Sequence, residues 1–155
     1  MQLKSMSESD YERFLARAID DFAEDQVRAG AWQTGEAKTL AEQMFAARLS
    51  EGLASPNQYL LMITLEDSGE KVGELWWGIE EHAGNRFAAL NDFVIYTAYR
   101  RRGLGQAALL AMEKLVHQEG LTTILLHVFG HNEAAWTLYR KMGYVERNVT
   151  MKKEL

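Results

Sequence analysis

The strongest constraint on the fold is a strand, helix and strand succession in the second half of the chain. Phe87 to Tyr96 is an apolar, strand-like run, and YRRRGLGQ (Tyr99 to Gln106) follows it. A helical pattern then spans about Gly105 to Glu119, with Leu109, Met112, Leu115 and Val116 on one face and Gly120 as its stop. TTILLHVF, Thr122 to Phe129, is β-branched and apolar enough to be a buried strand. Two strands joined through a helix predict a right-handed crossover between parallel neighbours.

The rest of the chain is organised differently. Gln2 to Met6 predicts a short strand. Ser9, with Glu12 three residues on, resembles a capping box, and Tyr11, Phe14, Leu15, Ala18, Ile19 and Phe22 keep helical spacing until Gly30. A second helix is expected from about Gly35 to Leu49, before Gly52 to Asn57 breaks the pattern. Gln58 to Glu66, Lys71 to Glu81 and Phe87 to Tyr96, separated by DSGE and HAGN, predict an antiparallel meander. NEAAWTLYRKMGY, from Asn132, reads as a capped short helix ended by Gly143, and Tyr144 to Lys152 as a closing strand or a pair of short ones. The expectation is one mixed α/β (α+β) domain over residues 1–155, with a sheet of six to seven strands and about four helices.

Composition removes several classes of chemistry. With 155 residues, one domain suffices, and without cysteine there is no disulfide, thiolate metal site or cysteine nucleophile. His82, His117, His127 and His131 form no helical paired-histidine pattern, so no metal is expected. No apolar run approaches about 18 residues, and the first residues lack an apolar signal core, so no membrane association and a cytoplasmic location are expected. The net charge of −5 is uneven: residues 1–90 carry 8 Lys and Arg against 16 Asp and Glu, residues 91–155 carry 9 against 6. An anionic ligand on the basic side and a cationic one on the acidic side fit that asymmetry. Nucleic acid is not expected without a larger basic face.

Between strand and helix, Arg100 to Gly105 combines cations with two glycines where helical N–H groups lack partners, a ready phosphate site. A Walker loop needs G-x-x-x-x-G-K-[ST], which is absent. A dinucleotide fold would accept Gly103, Gly105 and Ala108, but it wants a carboxylate about 20 positions on, where ILLHVF has none. Arg100, Gly103 and Gly105 instead match the R/Q-x-x-G-x-G/A signature of the GNAT N-acetyltransferases. Asn132, Ala135, Leu138, Tyr139, Gly143 and Tyr144 match that family's N-x-x-A-x-x-L-Y-x-x-x-G-F/Y pattern. The segment Phe87 to Val145 therefore resembles a GNAT domain.

The resemblance implies acetyl-CoA as cosubstrate and an amine acceptor. It implies that the backbone amides of Arg101, Arg102, Gly103, Leu104, Gly105 and Gln106 hold the pyrophosphate, with Arg100 to Arg102 adding charge. Phe93, Val94 and Ile95 would pair through their main chain with the pantetheine arm, and an N–H near Ile95 would polarise the thioester carbonyl. Tyr139 would protonate the departing thiolate; otherwise it is a core tyrosine beside Leu138 and Met142. Asn132 is a helix cap, a ligand to the pantetheine or substrate side, or both. The acceptor's proton needs a base: His127 sits where some members carry a glutamate, Asp92 is the alternative, and bulk water remains a third. Strand alternation sets Asp92 opposite Phe93 and Ile95, which favours a surface role for it.

Trp76 and Trp77 must face opposite sides of the sheet, so one is core and the other is free to wall an acceptor pocket with Tyr11 or Trp32. The acceptor's identity is left open among small amines, polyamines, amino sugars and peptide or protein amines. Two rivals remain: a non-catalytic acyl-CoA-binding regulatory module, and an interaction protein with a vestigial loop. Dimers are common among proteins this chain resembles, so a homodimer is an open expectation.

Overall fold

The computed structural model describes all 155 residues. Five strands, β1 (Gln2–Ser5), β2 (Gln58–Thr64), β3 (Lys71–His82), β4 (Asn85–Ile95) and β5 (Ile124–Leu126), lie in that order in one sheet. Neighbours from β1 to β4 are antiparallel and β4 pairs with β5 in parallel, as the crossover requires. Helices α1 (Glu8–Arg28) and α2 (Thr34–Arg48) cover one face, while α3 (Leu104–Gln118) and α4 (Glu133–Lys141) pack on the other.

Alternation along β3 builds both cores at once. Leu75 and Trp77 point toward α3, where they meet Leu90, Leu109, Met112 and Val116. Trp76 points the other way and meets Phe14 of α1 and Phe45 of α2 edge-on, at 6.1 and 5.5 Å between ring centroids. Both indoles are fully enclosed; Trp77 stacks on Tyr59 at 4.0 Å. Ala23, Ala37 and Ala41 keep α1 and α2 close together.

Two expectations need correction. The first helix starts earlier than the Ser9 and Glu12 pair implies: Ser7 is the cap, its Oγ accepting from the Asp10 N–H at 3.2 Å while Asp10 Oδ2 accepts from the Ser7 N–H at 3.0 Å. Asp10 wins because it also receives Lys71 Nζ of β3 at 2.6 Å and Arg13 at 2.9 Å, so one carboxylate caps the helix and ties it to the sheet. The sheet has five strands and not six or seven, since Tyr144 to Lys152 forms no ladder. Val145, Val149 and Met151 are 85%, 68% and 90% exposed, and polar groups beside them bond elsewhere, Glu146 to Arg140 and Lys152 to the Gly30 carbonyl. The strand expected at Thr122 to Phe129 is likewise reduced to three residues.

That shortening has a local cause. Trp77 pairs with Leu90 but Trp76 pairs with Asp92, so Asn91 is an extra residue in β4, a β-bulge. The ladder to β5 runs from Ala88 and Ile124 to Leu90 and Leu126 and stops at the bulge. Beyond it, β4 continues to Ile95 against β3 alone.

Burial alone would raise the Asp10 carboxyl, but its bonds from Lys71, Ser7 and Arg13 outweigh that and hold it below the ordinary carboxylate range. Its stabilisation is therefore complete above the unfolded-state pKa and disappears as pH falls through the depressed folded value. Replacing it, Asp10→Ala, is expected to lower unfolding free energy at neutral pH by about 1–2 kcal/mol, and urea titrations at several pH values should show that deficit shrinking in acid.

Candidate active site

Past the bulge, the outward edge of β4 has no strand beside it, although β4 lies in the interior of the sheet. Asp92, Phe93, Val94 and Ile95 are held on one side by Trp76, Leu75, Glu74 and Gly73, and no strand pairs with their other edge. A Cβ at Gly73 would run into the Val94 carbonyl and the Ile95 Cα, so glycine permits this close approach. Phe93 and Ile95 pack toward α3, and Asp92 faces the α1 and α2 side, as alternation predicts.

The loop that follows is organised around unpartnered donors. Arg101 (φ 61°) and Gly103 (φ 74°) both adopt left-handed backbone, and Gly103 caps α3 without a side chain. The six consecutive amides from Arg101 to Gln106 make no hydrogen bond in the protein; the first amide after them to find a partner is Ala107, bonded to the Gly103 carbonyl at 3.1 Å. Such a nest at the positive end of a 15-residue helix is suited to an anion. Arg100 Nε donates to the Ile95 carbonyl at 2.9 Å and fastens the loop to the strand end, while Arg102 lies over the Tyr99 ring. Gly105 packs against Leu138, Ile95 and Phe93, which brings α4 against the same strand.

A cleft of about 1280 Å³ opens over β4 and β5, between α1 and α2 on one side and the β5–α4 segment on the other. Tyr139, His127, Asn132, Asp92, Phe93 and Val94 all reach it. The Tyr139 phenol is packed among core residues and edge-on to Tyr144 at 5.6 Å; its hydroxyl bonds to no protein group, and neither does the buried hydroxyl of Tyr144. Burial, with Tyr144 and Asp92 nearby, raises its pKa and keeps it protonated. Tyr144 is pushed up to about 12 by burial and by Glu113.

His127 is exposed just past the end of β5, edge-on to Phe129 at 5.0 Å, and makes no hydrogen bond. Asn132 caps α4, its Oδ1 accepting from the Ala135 N–H at 3.2 Å, and it also borders the cleft. Asp92 is not a surface group: its side chain is 20% exposed and its Oδ2 accepts from Arg17 Nη2 at 2.5 Å. Of the tryptophans, Trp76 contributes to the cleft floor and Trp77 does not. Neither Tyr11 nor Trp32 reaches the cleft; Phe22, Phe45 and Phe129 occupy that wall.

Three residues of this region escape a motif-based reading: Arg17, Glu74 and Tyr96. Arg17 Nε donates to Glu74 Oε2 at 2.7 Å, and the Tyr96 hydroxyl donates to Glu74 Oε1 at 2.8 Å. A glutamate in the apolar run VGELWWG was the available signal, since a carboxylate there requires a cationic partner. The acidic bias of the first half reaches the cleft through Asp21, Glu24 and Asp25, which share one face of α1. Asp25 Oδ1 also meets His131 Nε2 at 2.8 Å, joining α1 to the segment before α4.

Comparison with known proteins places this arrangement. The acetyltransferase (GNAT) family matches residues 15–144. The uncharacterized N-acetyltransferase YdgE of Bacillus subtilis is 35% identical over 153 residues, covering 99% of this chain and 97% of YdgE. The crystal structure of YycN, also from Bacillus subtilis, is 32% identical, superposes with a TM-score of 0.93 and covers 99% of this chain and 98% of that one. A mycothiol acetyltransferase of Paenarthrobacter aurescens is 32% identical over 101 residues, 64% of this chain but 31% of that protein. With the interrupted β4 edge, the amide nest at α3 and a family match over most of its length, the chain belongs to the GNAT acetyltransferase family.

Proposed function

We propose that the protein is an acetyl-CoA-dependent N-acetyltransferase that transfers the acetyl group directly to a primary amine. The observation that carries this reading is Tyr139, whose hydroxyl bonds to no protein group and which borders the same cleft as the open β4 edge. Acetyl-CoA would supply an activated thioester. The residues present fit it: the amides of Arg101 to Gln106 suit its pyrophosphate, and the outward edge of Phe93 to Ile95, which has no strand beside it and only the Ile95 carbonyl engaged, by Arg100, suits an extended amide-bearing arm.

Within this reading the amine nitrogen bonds to the acetyl carbon as the carbon–sulfur bond breaks. An N–H of the open β4 edge near Ile95 stabilises charge on the carbonyl oxygen, and Tyr139 Oη delivers a proton to the departing sulfur. The proton lost by the amine goes to a base in the cleft. Asp92 is better placed for this than His127, because it is fixed by Arg17 and enclosed, whereas the His127 ring is exposed and unanchored. The carboxylates of Asp21, Glu24 and Asp25 give the α1 wall of the cleft an acidic face that suits a cationic acceptor, while Arg48, Arg86 and Arg147 border it from α2, β4 and the C-terminal segment. A regulatory acyl-CoA-binding module would have no use for an unpartnered phenol at this place.

The test is release of free CoA thiol from acetyl-CoA with n-butylamine, spermidine, an aminoglycoside and a peptide α-amine as acceptors. Tyr139→Phe should leave CoA affinity unchanged by calorimetry and lower turnover at least about tenfold; full turnover removes the acid role. At the loop, Gly103→Asp should weaken CoA binding by roughly tenfold relative to Gly103→Asn, which accepts the same left-handed backbone without the charge. Equal affinities for the two variants would count against the phosphate cradle. Because a base acts only when deprotonated, kcat/KM should fall as pH drops through the pKa of the group concerned. Asp92→Asn should abolish that acidic limb and His127→Ala should leave it in place.

A further inference from the structure

Arg17 comes from the apolar stripe of α1, between Phe14 and Ala18, and its guanidinium meets carboxylates on three elements. Nε donates to Glu74 Oε2 on β3 at 2.7 Å, Nη2 to Asp92 Oδ2 on β4 at 2.5 Å, and Nη1 to Asp21 Oδ2 one turn along α1 at 2.9 Å. Glu74 is buried and is held from its other oxygen by Tyr96, so it cannot swing away. A planar fork bound at Nε and Nη2 has a single orientation against the sheet. It therefore dictates where the Asp92 carboxylate lies.

The other Asp92 oxygen is the informative one. Oδ1 makes no hydrogen bond in the protein, while Asp92 borders the cleft that also receives Tyr139. A carboxylate with one oxygen clamped and the other open to a cavity presents a directed acceptor. The bulge at Asn91 makes this possible by bringing Asp92 opposite Trp76, on the cleft face.

We propose that Arg17 is a positioning residue of the transfer site, fixing the Asp92 carboxylate so that Oδ1 faces the acceptor ammonium. This rests on the reading of Asp92 as the group that takes the acceptor's proton. The groups facing Asp92 are Arg17 and Asp21 from α1, Glu74 from β3 and Tyr139 from α4, with Tyr96 bound to Glu74. His127 borders the same cleft from the β5 side, and Arg48 of α2 is engaged by Asn91 at 2.6 Å and Glu80 at 3.5 Å. Burial raises the Asp92 carboxyl and Arg17 opposes that rise, with Glu74 and Asp21 adding repulsion. Without the guanidinium only the raising influences remain.

Arg17→Met, Arg17→Lys and Asp92→Asn separate this role from a structural one. In Arg17→Met the titration midpoint of Asp92, followed by carbon NMR of labelled aspartate, should rise by about one pH unit or more, equivalent to a tenfold change in proton affinity. The acidic limb of kcat/KM for n-butylamine, or for whichever amine of the four is fastest, should move with it, while CoA affinity stays constant. Arg17→Lys, which keeps the charge but loses the fork, should leave the midpoint near its original value and still lower kcat. Should Arg17→Met not fold, because Glu74 is left as an uncompensated buried charge, Arg17→Met with Glu74→Gln removes that charge; the Asp92 midpoint should still rise, by less than in Arg17→Met because the Glu74 repulsion goes too, and the acidic limb should move with it. An unmoved midpoint and limb, with activity lost only in step with thermal stability, would overturn the proposal. An unchanged limb in Asp92→Asn, with thiol release intact, would remove the Asp92 role and the proposal with it but leave acetyl transfer standing.

Discussion

An interior strand that abandons one neighbour midway along its length creates a demand for hydrogen bonds that the protein does not meet itself. The main chain of β4 beyond Leu90 is in that position, because the extra residue Asn91 ends its register with β5. Buried or half-buried backbone groups without partners are costly, so such an interruption persists where something else supplies them. The nest of free amides before α3 repeats the pattern a few residues later. They are two separate stretches of unsatisfied main chain, one on the strand and one at the positive end of a helix, joined by the hydrogen-bonded turn from Tyr96 to Arg100.

The side chains around that run are arranged by the same interruption. The bulge restores alternation one residue late, so Leu90 and Phe93 both face α3 while Asp92 joins Trp76 on the opposite face. Without it, Asp92 would lie on the apolar face against α3, where a carboxylate has no compensation. Arg17 then serves as the counter-charge for both Asp92 and Glu74, two acids of neighbouring strands that would repel each other in its absence. The proximity of α1 to the sheet at this point is therefore as much electrostatic as apolar, with Phe14 and Ala18 packed on either side of the arginine.

Much of this was legible in the residues, and the illegible part has physical reasons. Helical and strand periodicities locate all four helices and the meander within a few residues, because each of those elements buries one face and advertises it. The loop before α3 is readable because left-handed backbone and close approach demand glycine at Gly103 and Gly105. Ser9 misleads because local spacing cannot reveal that Asp10 also meets Lys71, 61 residues away. Tyr144 to Lys152 misleads because β propensity describes a fit to a neighbouring strand, and none is present there. Arg17 was invisible for a related reason: its partners are 57 and 75 residues distant, and only the fold assembles them.

The bridge between Asp25 and His131 joins residues 106 positions apart, one at the end of the first long helix and the other just before the last. The walls of the cleft are thus drawn from opposite ends of the chain. A contact of such long sequence separation closes a loop of most of the chain, so the cleft is complete only when both ends are in place. Binding at this place therefore reports on the integrity of the entire fold, and a ligand held between the two ends acts as a staple for both.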